Sequence, residues 1–390
     1  MKIKVGVIFG GESVEHEVSI ISALQAIDNI NKDKYDVVPI YIGKNKIWYT
    51  SDKLFDIENY KDIDSLIKSC KEIVLCKKDN EFCLINTNGL FNKVIDKIDI
   101  AFPIVHGQNV EDGTLSGYLD TIGIPYVGSN VLGASIGQDK VVLKQILESA
   151  GINIVPYTYF YDIDYINDKE DILNKIKEIG YPVVVKPASL GSSVGINFVK
   201  NEKTINDAIN EAIEYDKKIV VEKAVDNLIE VNCSVIGNYK TQESSEIEEV
   251  LSDNSILTYK DKYIGGNKTK GASKGMVNTK RIIPANIDKK LYKEIQDVSK
   301  KVFKVLNFSG VCRIDYLIDS KTKEYYVNEP NTIPGSLSFY LWEAKDKKYS
   351  TLLDELIILG IKDYKDKNKK VYSFNTNILK SYNKNKGLKK

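Results

Sequence analysis

The sequence predicts an α/β protein of two or three domains. Its 390 residues exceed the usual size of a single domain, and hydrophobic residues make up 43%, an ordinary globular proportion. A near-continuous apolar run at residues 3–9 is typical of a strand buried on both faces of a parallel sheet. Residues 311–335 instead predict two apolar strands joined by a polar turn. The N-terminal part is therefore predicted to be parallel α/β, and the C-terminal half α+β.

Composition excludes several classes of function. The formal net charge of +1 gives no case for a nucleic-acid or membrane partner. The five cysteines form no C-x-x-C pair and only two histidines are present, which argues against a zinc site and predicts reduced thiols. No apolar run approaches the length of a signal peptide or a membrane span. We therefore expect a cytoplasmic protein.

The predicted first strand ends at Gly10-Gly11 and is followed by a helix, which is a typical place for an anion or ligand site. The spacing is not G-x-G-x-x-G, so a dinucleotide fingerprint is absent. Glu15 lies at the helix start, where interaction with the helix dipole already explains an acidic residue. His106 follows a predicted strand at 98–105, where open sheets place ligands, although a packed loop histidine fits equally well.

A glycine- and serine-rich loop lies in the middle of the chain, in VVVKPASLGSSVG. Gly191 and Gly195 allow the backbone to approach a ligand closely, and Lys186 supplies a compact cation for a phosphate. A simple hairpin turn is the alternative, and no Walker A motif is present. Beyond it, Glu222 and Glu230 occupy apolar strand positions that suit a cofactor pocket, or else are surface acids.

Two later segments add chemistry. Residues 252–280 lose apolar periodicity and carry glycines and lysines, as expected for a lid or for a disordered loop. In the 311–335 hairpin, a loop at 320–324 sets Asp315 opposite Glu329, with Arg313 and Asn331 on the same face. Facing carboxylates repel unless a cation lies between them, and an all-oxygen set suits Mg²⁺. The alternative is an edge hairpin with its charges in solvent.

Six motifs in order resemble the D-alanine–D-alanine ligases of the ATP-grasp superfamily. They are GGESVEHEVS, HGQNVEDGTLSGYLD, VVVKPASLGSSVG, a tyrosine-bearing loop, CRIDY and NEPNTIPG. The resemblance covers about residues 1–360. It implies an N-terminal parallel α/β domain (1–128), a small ATP-grasp domain (129–217), a C-terminal ATP-grasp domain (218–362) with the lid, and a basic tail (363–390). ATP would lie between the antiparallel sheets of the second and third domains.

The resemblance also implies a reaction and its ligands. MgATP would phosphorylate the carboxylate of a first D-alanine, and the amine of a second would attack the resulting acylphosphate to form D-alanyl-D-alanine for peptidoglycan precursors. Two Mg²⁺ ions, or Mn²⁺ in their place, and a homodimer are implied as well.

Site residues are carried over position by position. The implied metal ligands are Asp315, Glu329 and Asn331. The implied ATP-binding residues are Lys140, Lys186, Ser193, Glu222, Glu230 and Lys262. The implied catalytic residues are Glu15, Ser192, Tyr263 and Arg313, with His106 and Gly335 binding substrate.

The segment after Asn331 departs from the family pattern. Many members read P-G-x-T-x-x-S there, and the serine receives the carboxylate of the second substrate, whereas this chain reads PGSLSFYLWEA. The equivalent residue is Ser336, Ser338 or Tyr340, so D-serine as the second substrate stays an alternative. Tyr263 argues against a D-lactate-using relative. A non-ligating ATP-grasp binder is disfavoured by the complete set of Arg313 and the three metal-ligand positions.

Overall fold

The computed structural model describes residues 2–88, 93–191, 194–251, 280–374, 376–383 and 387–388. Within these ranges the longer strands form three sheets of seven, four and five strands. This mixed α/β architecture agrees with the predicted fold class. No helix in the described part of the chain combines the length and the apolarity that a membrane crossing needs.

The N-terminal sheet has the strand order β6-β5-β4-β3-β2-β1-β7. Its strands are β1 (Ile3–Gly10), β2 (Tyr35–Ile42), β3 (Trp48–Thr50), β4 (Lys71–Lys78), β5 (Glu81–Asn86), β6 (Val94–Ile98) and β7 (Ile100–Pro103). As predicted for the apolar run at 3–9, β1 is buried between two parallel neighbours, β2 and β7. The strands β3–β6 were not predicted, and they continue the sheet in antiparallel pairs.

Five helices accompany this first part of the chain. They are α1 (His16–Asn29), α2 (Ile63–Lys68), α3 (Thr114–Ile122), α4 (Val131–Gln138) and α5 (Lys140–Ser149). Helix α1 contacts β1 through its buried face, as the apolar periodicity predicts. Asp139 is the N-cap of helix α5, and its carboxylate accepts hydrogen bonds from the N–H groups of Val141 and Val142. That cap fixes the direction in which the first-turn Lys140 leaves the helix.

The central sheet is antiparallel and has the order β10-β9-β11-β8. Its elements are β8 (Tyr157–Tyr161), α6 (Asp162–Asn167), α7 (Lys169–Ile179), β9 (Val183–Pro187), β10 (Asn197–Val199), α8 (Ile205–Ile213) and β11 (Lys218–Lys223). The domain boundary expected from the sequence falls just before β11. This strand nevertheless pairs with β8 and β9, so the central sheet extends to residue 223.

The C-terminal sheet is antiparallel and has the order β14-β13-β12-β15-β16. Its strands are β12 (Leu228–Gly237), β13 (Gln242–Leu251), β14 (Lys280–Ile282), β15 (Gly310–Asp319) and β16 (Tyr325–Asn331). One face packs on the amphipathic helix α9 (Lys289–Val305), and its core includes Val231, Cys233, Ile247 and Ile314. Because side chains alternate along a strand, the residues between these core positions face the other way, toward the central sheet.

The chain then returns to the N-terminal sheet. A short turn (Gly335–Ser338) leads into α10 (Phe339–Glu343) and then α11 (Tyr349–Lys367). Helix α11 buries Leu352, Leu353 and Leu356 in the same core as β1. Helix α11 ends at Lys367, whereas the basic tail was expected to begin at residue 363. Two short strands, β17 (Tyr382–Asn383) and β18 (Gly387–Leu388), form a final pair.

Candidate active site

The β15–β16 hairpin pairs the residues that the sequence predicts at the site, but not in one continuous register. Near the loop Ile318 lies opposite Tyr325, and a register shift between Asp315 and Tyr316 moves the pairing by one residue. Asp315 lies opposite Glu329 and Arg313 opposite Asn331, and the loop between the strands is 320–324. The Arg313 guanidinium donates to both oxygens of Asp315, Nε to Oδ1 at 2.7 Å and Nη2 to Oδ2 at 2.8 Å. The amide nitrogen of Asn331 donates to Asp315 Oδ2 at 3.2 Å. The predicted cluster of two carboxylates, one amide and one guanidinium is therefore present on one sheet face.

Arg313 stays charged at this place, and Glu329 lies near a second basic residue. Burial by itself lowers the pKa of Arg313, but the Asp315 carboxylate beside it raises that pKa well above its usual value. Glu329 faces a second cation, because its Oε2 lies 3.6 Å from Nζ of Lys140. Lys140 also donates to the carbonyl oxygen of Leu190 at 2.6 Å, which ties helix α5 to the loop after β9.

The donor atoms here fit magnesium better than zinc. Asp315, Glu329 and Asn331 offer carboxylate and amide oxygens, which Mg²⁺ accepts together with waters and phosphate oxygens. Among the described residues, no group of three or more histidine, cysteine or acidic side chains is arranged to hold a metal alone. A cation at this place would therefore take part of its coordination from a bound anionic ligand.

A second charged cluster is buried between α5 and the central sheet. Glu222 Oε2 accepts from Lys186 Nζ at 2.7 Å, and its Oε1 lies 3.1 Å from Lys144 Nζ. Lys186 also donates to Asn328 Oδ1 at 3.2 Å. Burial raises the pKa of Glu222, but the two lysines outweigh it and lower that pKa to about 2. Among the described residues the cluster holds two lysines and one carboxylate, which favours a bound anion nearby.

Lys144 was not predicted from the sequence. Its side chain is fully buried, and Nζ lacks a hydrogen-bond partner of good geometry in the described residues. Burial lowers its pKa, although the Glu222 carboxylate opposes this shift. Lys140 and Lys144 are four residues apart on α5 and so share one face. The four-residue spacing could have identified Lys144 from the sequence, because a lysine on a buried helix face needs an anionic partner.

We expect Glu222→Gln to reduce the free energy of unfolding by about 3–5 kcal/mol, because it leaves two buried ammonium groups without their shared carboxylate. Urea denaturation followed by circular dichroism measures this loss. Lys144→Met is the matched control, since it removes a charge from the same cluster but keeps the Lys186–Glu222 pair. An unchanged free energy of unfolding in Glu222→Gln would show that the carboxylate does not stabilise the cluster.

A cleft beside the hairpin cluster is lined by residues from the N-terminal, central and C-terminal parts of the chain. Glu15 begins α1, and a Cβ placed on Gly191 would lie only 3.3 Å from its Oε2. The glycine therefore permits the close approach of the loop after β9 to the first helix. The cleft is lined by Glu15, Lys140, Leu190, Gly191, Glu329 and Asn331. Residues predicted from separate motifs thus meet at one place.

His106 lies beside this cleft in a buried position. Its Nε2 is 3.1 Å from Ser22 Oγ, which also accepts from the N–H of Ser336 at 2.9 Å. Burial lowers the pKa of His106 to about 4, although a hydrogen bond with the backbone of Ile333 opposes this. The neutral imidazole joins α1 to the segment after β16. Its position agrees with a packed loop histidine and equally with one that shapes a substrate pocket.

We expect His106→Gln to weaken the acid sensitivity of the fold. In the unfolded chain this histidine takes up a proton below its ordinary pKa of 6.5, whereas the folded protein resists protonation down to about pH 4. Stability is therefore present above pH 6.5 and is lost as the pH falls toward 4, by about 2 kcal/mol between pH 7 and pH 5. Urea unfolding at both pH values tests this, and an unchanged difference between them in the variant would contradict it.

Glu111 is a half-buried acid that was not identified from the sequence as a site residue. It accepts from the N–H groups of Gly107 and Ile333, both at 3.0 Å, and from the Thr332 hydroxyl at 3.2 Å. Burial raises the pKa of Glu111 to about 7, although the Gly107 N–H opposes the shift. It fastens the loop after β7 to the segment after β16. The sequence EDGT did not indicate that Glu111 makes these contacts.

The sequence models for two halves of one family match this chain. "D-ala D-ala ligase N-terminus" matches residues 4–129, and "D-ala D-ala ligase C-terminus" matches residues 146–358. The chain belongs to the D-ala D-ala ligase family. The six ordered motifs identified in the sequence predict the same family.

Full-length relatives of the family agree. A D-alanine--D-alanine ligase of Thermosipho melanesiensis is 40% identical over 381 residues, which cover 97% of this chain and 98% of the relative. One from Thermoanaerobacter pseudethanolicus is 38% identical over 377 residues, covering 94% and 98%.

Solved structures of the family have the same fold. The D-alanine-D-alanine ligase of Coxiella burnetii has a TM-score of 0.78 at 28% identity, covering 94% of this chain and 96% of that one. VanG D-Ala:D-Ser ligase of Enterococcus faecalis has a TM-score of 0.75 at 29% sequence identity, and the match covers 92% of this chain and 100% of that one. The Bacillus anthracis D-alanine--D-alanine ligase complexed with ATP has a TM-score of 0.65 at 26% sequence identity, and the match covers 94% of this chain and 99% of that one.

Four residues that the family resemblance implicates, Ser192, Ser193, Lys262 and Tyr263, lie outside the described residues, as does most of the predicted lid. Glu230 is described. It lies opposite Leu317, two positions from Asp315, and therefore on the same sheet face as the metal-ligand positions.

The three residues proposed from the departing motif have different environments. Ser336, Leu337 and Ser338 all have positive φ, so the chain turns sharply after Gly335. Ser336 Oγ donates to Gln25 Oε1 at 2.5 Å, and Ser338 is fully buried. Tyr340 instead reaches over the C-terminal sheet, where its hydroxyl donates to Glu248 Oε1 at 2.7 Å. Of the three, Tyr340 is the side chain that lies on the face carrying Asp315.

Proposed function

We propose that this chain joins two D-alanines into D-alanyl-D-alanine at the expense of ATP, in the cytoplasm, for peptidoglycan precursors. The observation that carries the proposal is the meeting of Glu15, Lys140 and Glu329 in one cleft. The carboxylates there suit an ammonium group, and Lys140 suits a phosphate. Family membership and the named relatives support the same reaction.

The nucleotide fits between the central and C-terminal sheets. Lys140 and Lys186 would bind its phosphates, and the excess positive charge of the Lys144–Lys186–Glu222 cluster favours that anion. Glu230 lies on the facing sheet, where its carboxylate would accept from ribose hydroxyls. Asp315, Glu329 and Asn331 would hold two Mg²⁺ ions. The metal supplies charge neutralisation for phosphoryl transfer when bound.

The amino-acid sites continue from the phosphates. Glu15 would bind the ammonium of the first D-alanine, and His106 would shape the wall of its pocket. A carboxylate oxygen of this D-alanine attacks the γ-phosphorus and ADP leaves. The amine of the second D-amino acid then attacks the carbonyl carbon, loses a proton, and phosphate leaves. Arg313, on the same sheet face as the metal-ligand positions, would stabilise the oxyanion that develops on that carbonyl.

The test is phosphate release from MgATP by the purified protein with D-alanine, with D-serine and D-lactate in competition, and products identified by mass. D-alanyl-D-alanine as the main product is expected. Predominant D-alanyl-D-serine would favour the alternative, in which D-serine is the second substrate. The similarity to VanG and the PGSLSFYLWEA segment are the reasons for testing it. No turnover with any D-amino acid would refute the proposal.

A further inference from the structure

The polar face of the C-terminal sheet extends past the metal-ligand positions. In the sheet register, Glu329, Asp315, Asn232 and Glu248 follow one another across four strands in a single row. In the next row, Leu317, Glu230, Val250 and Arg281 follow one another out to the edge strand β14. Directly opposed residues and residues two apart share a face. Glu248 and Arg281 therefore lie on the face that carries Asp315, although neither was identified from the sequence.

Glu248 is held by three groups. Its carboxylate accepts from Asn232 Nδ2 at 2.8 Å and from the Tyr340 hydroxyl at 2.7 Å, and its Oε2 lies 3.5 Å from Nη1 of Arg281. The Glu248 side chain is only 4% exposed, whereas that of Arg281 is 24% exposed. The acid is thus a buried anchor, and the guanidinium that it orients is partly exposed on the polar face of the sheet.

Tyr340 supports the guanidinium from a second direction. The Arg281 guanidinium lies over its ring, with Cζ 4.5 Å from the ring centroid. Burial raises the pKa of the Tyr340 hydroxyl overall, although the positive charges of Arg313 and Arg281 both act to lower it. A stacked and ion-paired guanidinium loses little freedom when it binds a carboxylate, which makes it a suitable anion receptor.

Composition adds an independent observation. Of the 55 basic residues in the chain only two, Arg281 and Arg313, are arginine, and both lie on this sheet face. Lysine serves at every other basic position. An arginine is needed where a planar fork must meet a carboxylate in a fixed geometry, which a lysine ammonium does not reproduce.

We propose that Arg281 binds the α-carboxylate of the second D-amino acid, and that Glu248 and Tyr340 position its guanidinium. This inference rests on the proposed ligase function. An acceptor amino acid carries its amine and its carboxylate on one carbon, so a carboxylate held by Arg281 places the amine on the side of Arg313. Tyr340 then occupies the region where many relatives have a serine, and it acts through Arg281.

The test compares D-alanine with D-alaninamide as acceptors, because the amide keeps the attacking amine but lacks the carboxylate charge. The full-length protein, R281Q and R281K are assayed with MgATP and a fixed concentration of D-alanine as donor, and each dipeptide is quantified by mass. The ratio of the two acceptor kcat/KM values is the readout. K290Q, which removes an exposed charge on α9, is the matched control.

We expect the parent and K290Q to prefer D-alanine strongly, and R281Q to lose roughly 10- to 100-fold of that preference with the KM for ATP unchanged. R281K should lose part of it, since it keeps the charge but not the fork. R281K also carries the test if R281Q does not fold. An unchanged preference in both variants would overturn the assignment of Arg281. Absence of either dipeptide with the parent would instead refute the ligase function itself.

Discussion

Asp315→Asn is expected to lower ATP turnover by on the order of 10³-fold or more while the fold stays intact. The substitution removes one of the two facing carboxylates and so removes charge from the place where a metal ion would contact the phosphates. Asparagine has nearly the same shape and still accepts from the Arg313 guanidinium, so the β15–β16 pairing is preserved. Phosphate release measured across a Mg²⁺ titration gives both the rate and the metal requirement.

Asp319→Asn is the matched control for this prediction. It makes the same chemical change at the end of the same strand, where Asp319 only accepts from N–H groups of the turn, which asparagine also does. The control should keep its rate and its Mg²⁺ requirement. A near-normal rate in Asp315→Asn, with an unfolding curve like that of the parent, would show that Asp315 is not a metal ligand.

The hairpin could be predicted in detail because its information is local. Two apolar strands joined by a short polar loop predict that Asp315 lies opposite Glu329, and the structure has this pair. The register shift between Asp315 and Tyr316, which also contributes to that pairing, had no signal in the sequence. The first strand and helix were predictable for the same reason, since the buried run at 3–9 and the apolar face of α1 are periodic signals. Local patterns therefore gave the elements that carry most of the site.

The remaining site residues depend on contacts between distant parts of the chain. Glu248 lies in β13, whose sequence QESSEIEEVL is polar and gives no clear strand signal, and it becomes buried only through Asn232, Tyr340 and Arg281. Lys144 similarly meets Glu222 only when α5 packs on the central sheet. The periodicity of a single segment does not predict such pairs, because the two partners come from distant segments and meet only in the folded chain.

The segment PGSLSFYLWEA departs from the family pattern, and the resemblance did not assign the role of the family serine to one of its residues. It left Ser336, Ser338 and Tyr340 as equal alternatives, since the residue spacing alone does not align them. In the structure Ser336 bonds to Gln25 and Ser338 is buried in the turn, whereas Tyr340 contacts Glu248. The three consecutive residues with positive φ turn the chain so that only the third candidate reaches the sheet face.

Arg313→Gln is expected to lower kcat by roughly 10²–10³-fold, as for loss of one oxyanion donor, and to do so without raising the Mg²⁺ requirement. The guanidinium occupies both oxygens of Asp315, at 2.7 and 2.8 Å, so its removal leaves that carboxylate more available to a cation. The concentration of Mg²⁺ at half-maximal rate should therefore stay equal or fall.

The two hairpin variants thus separate the roles of neighbouring residues on one strand. Asp315→Asn should raise the Mg²⁺ requirement together with the loss of rate, whereas Arg313→Gln should lose rate alone. Parallel Mg²⁺ titrations of both proteins, with unfolding curves to confirm their folds, make the comparison. An unaffected kcat in Arg313→Gln would remove this arginine from the reaction and leave it as the structural partner of Asp315. A raised Mg²⁺ requirement would show instead that the guanidinium helps to orient Asp315 for the metal.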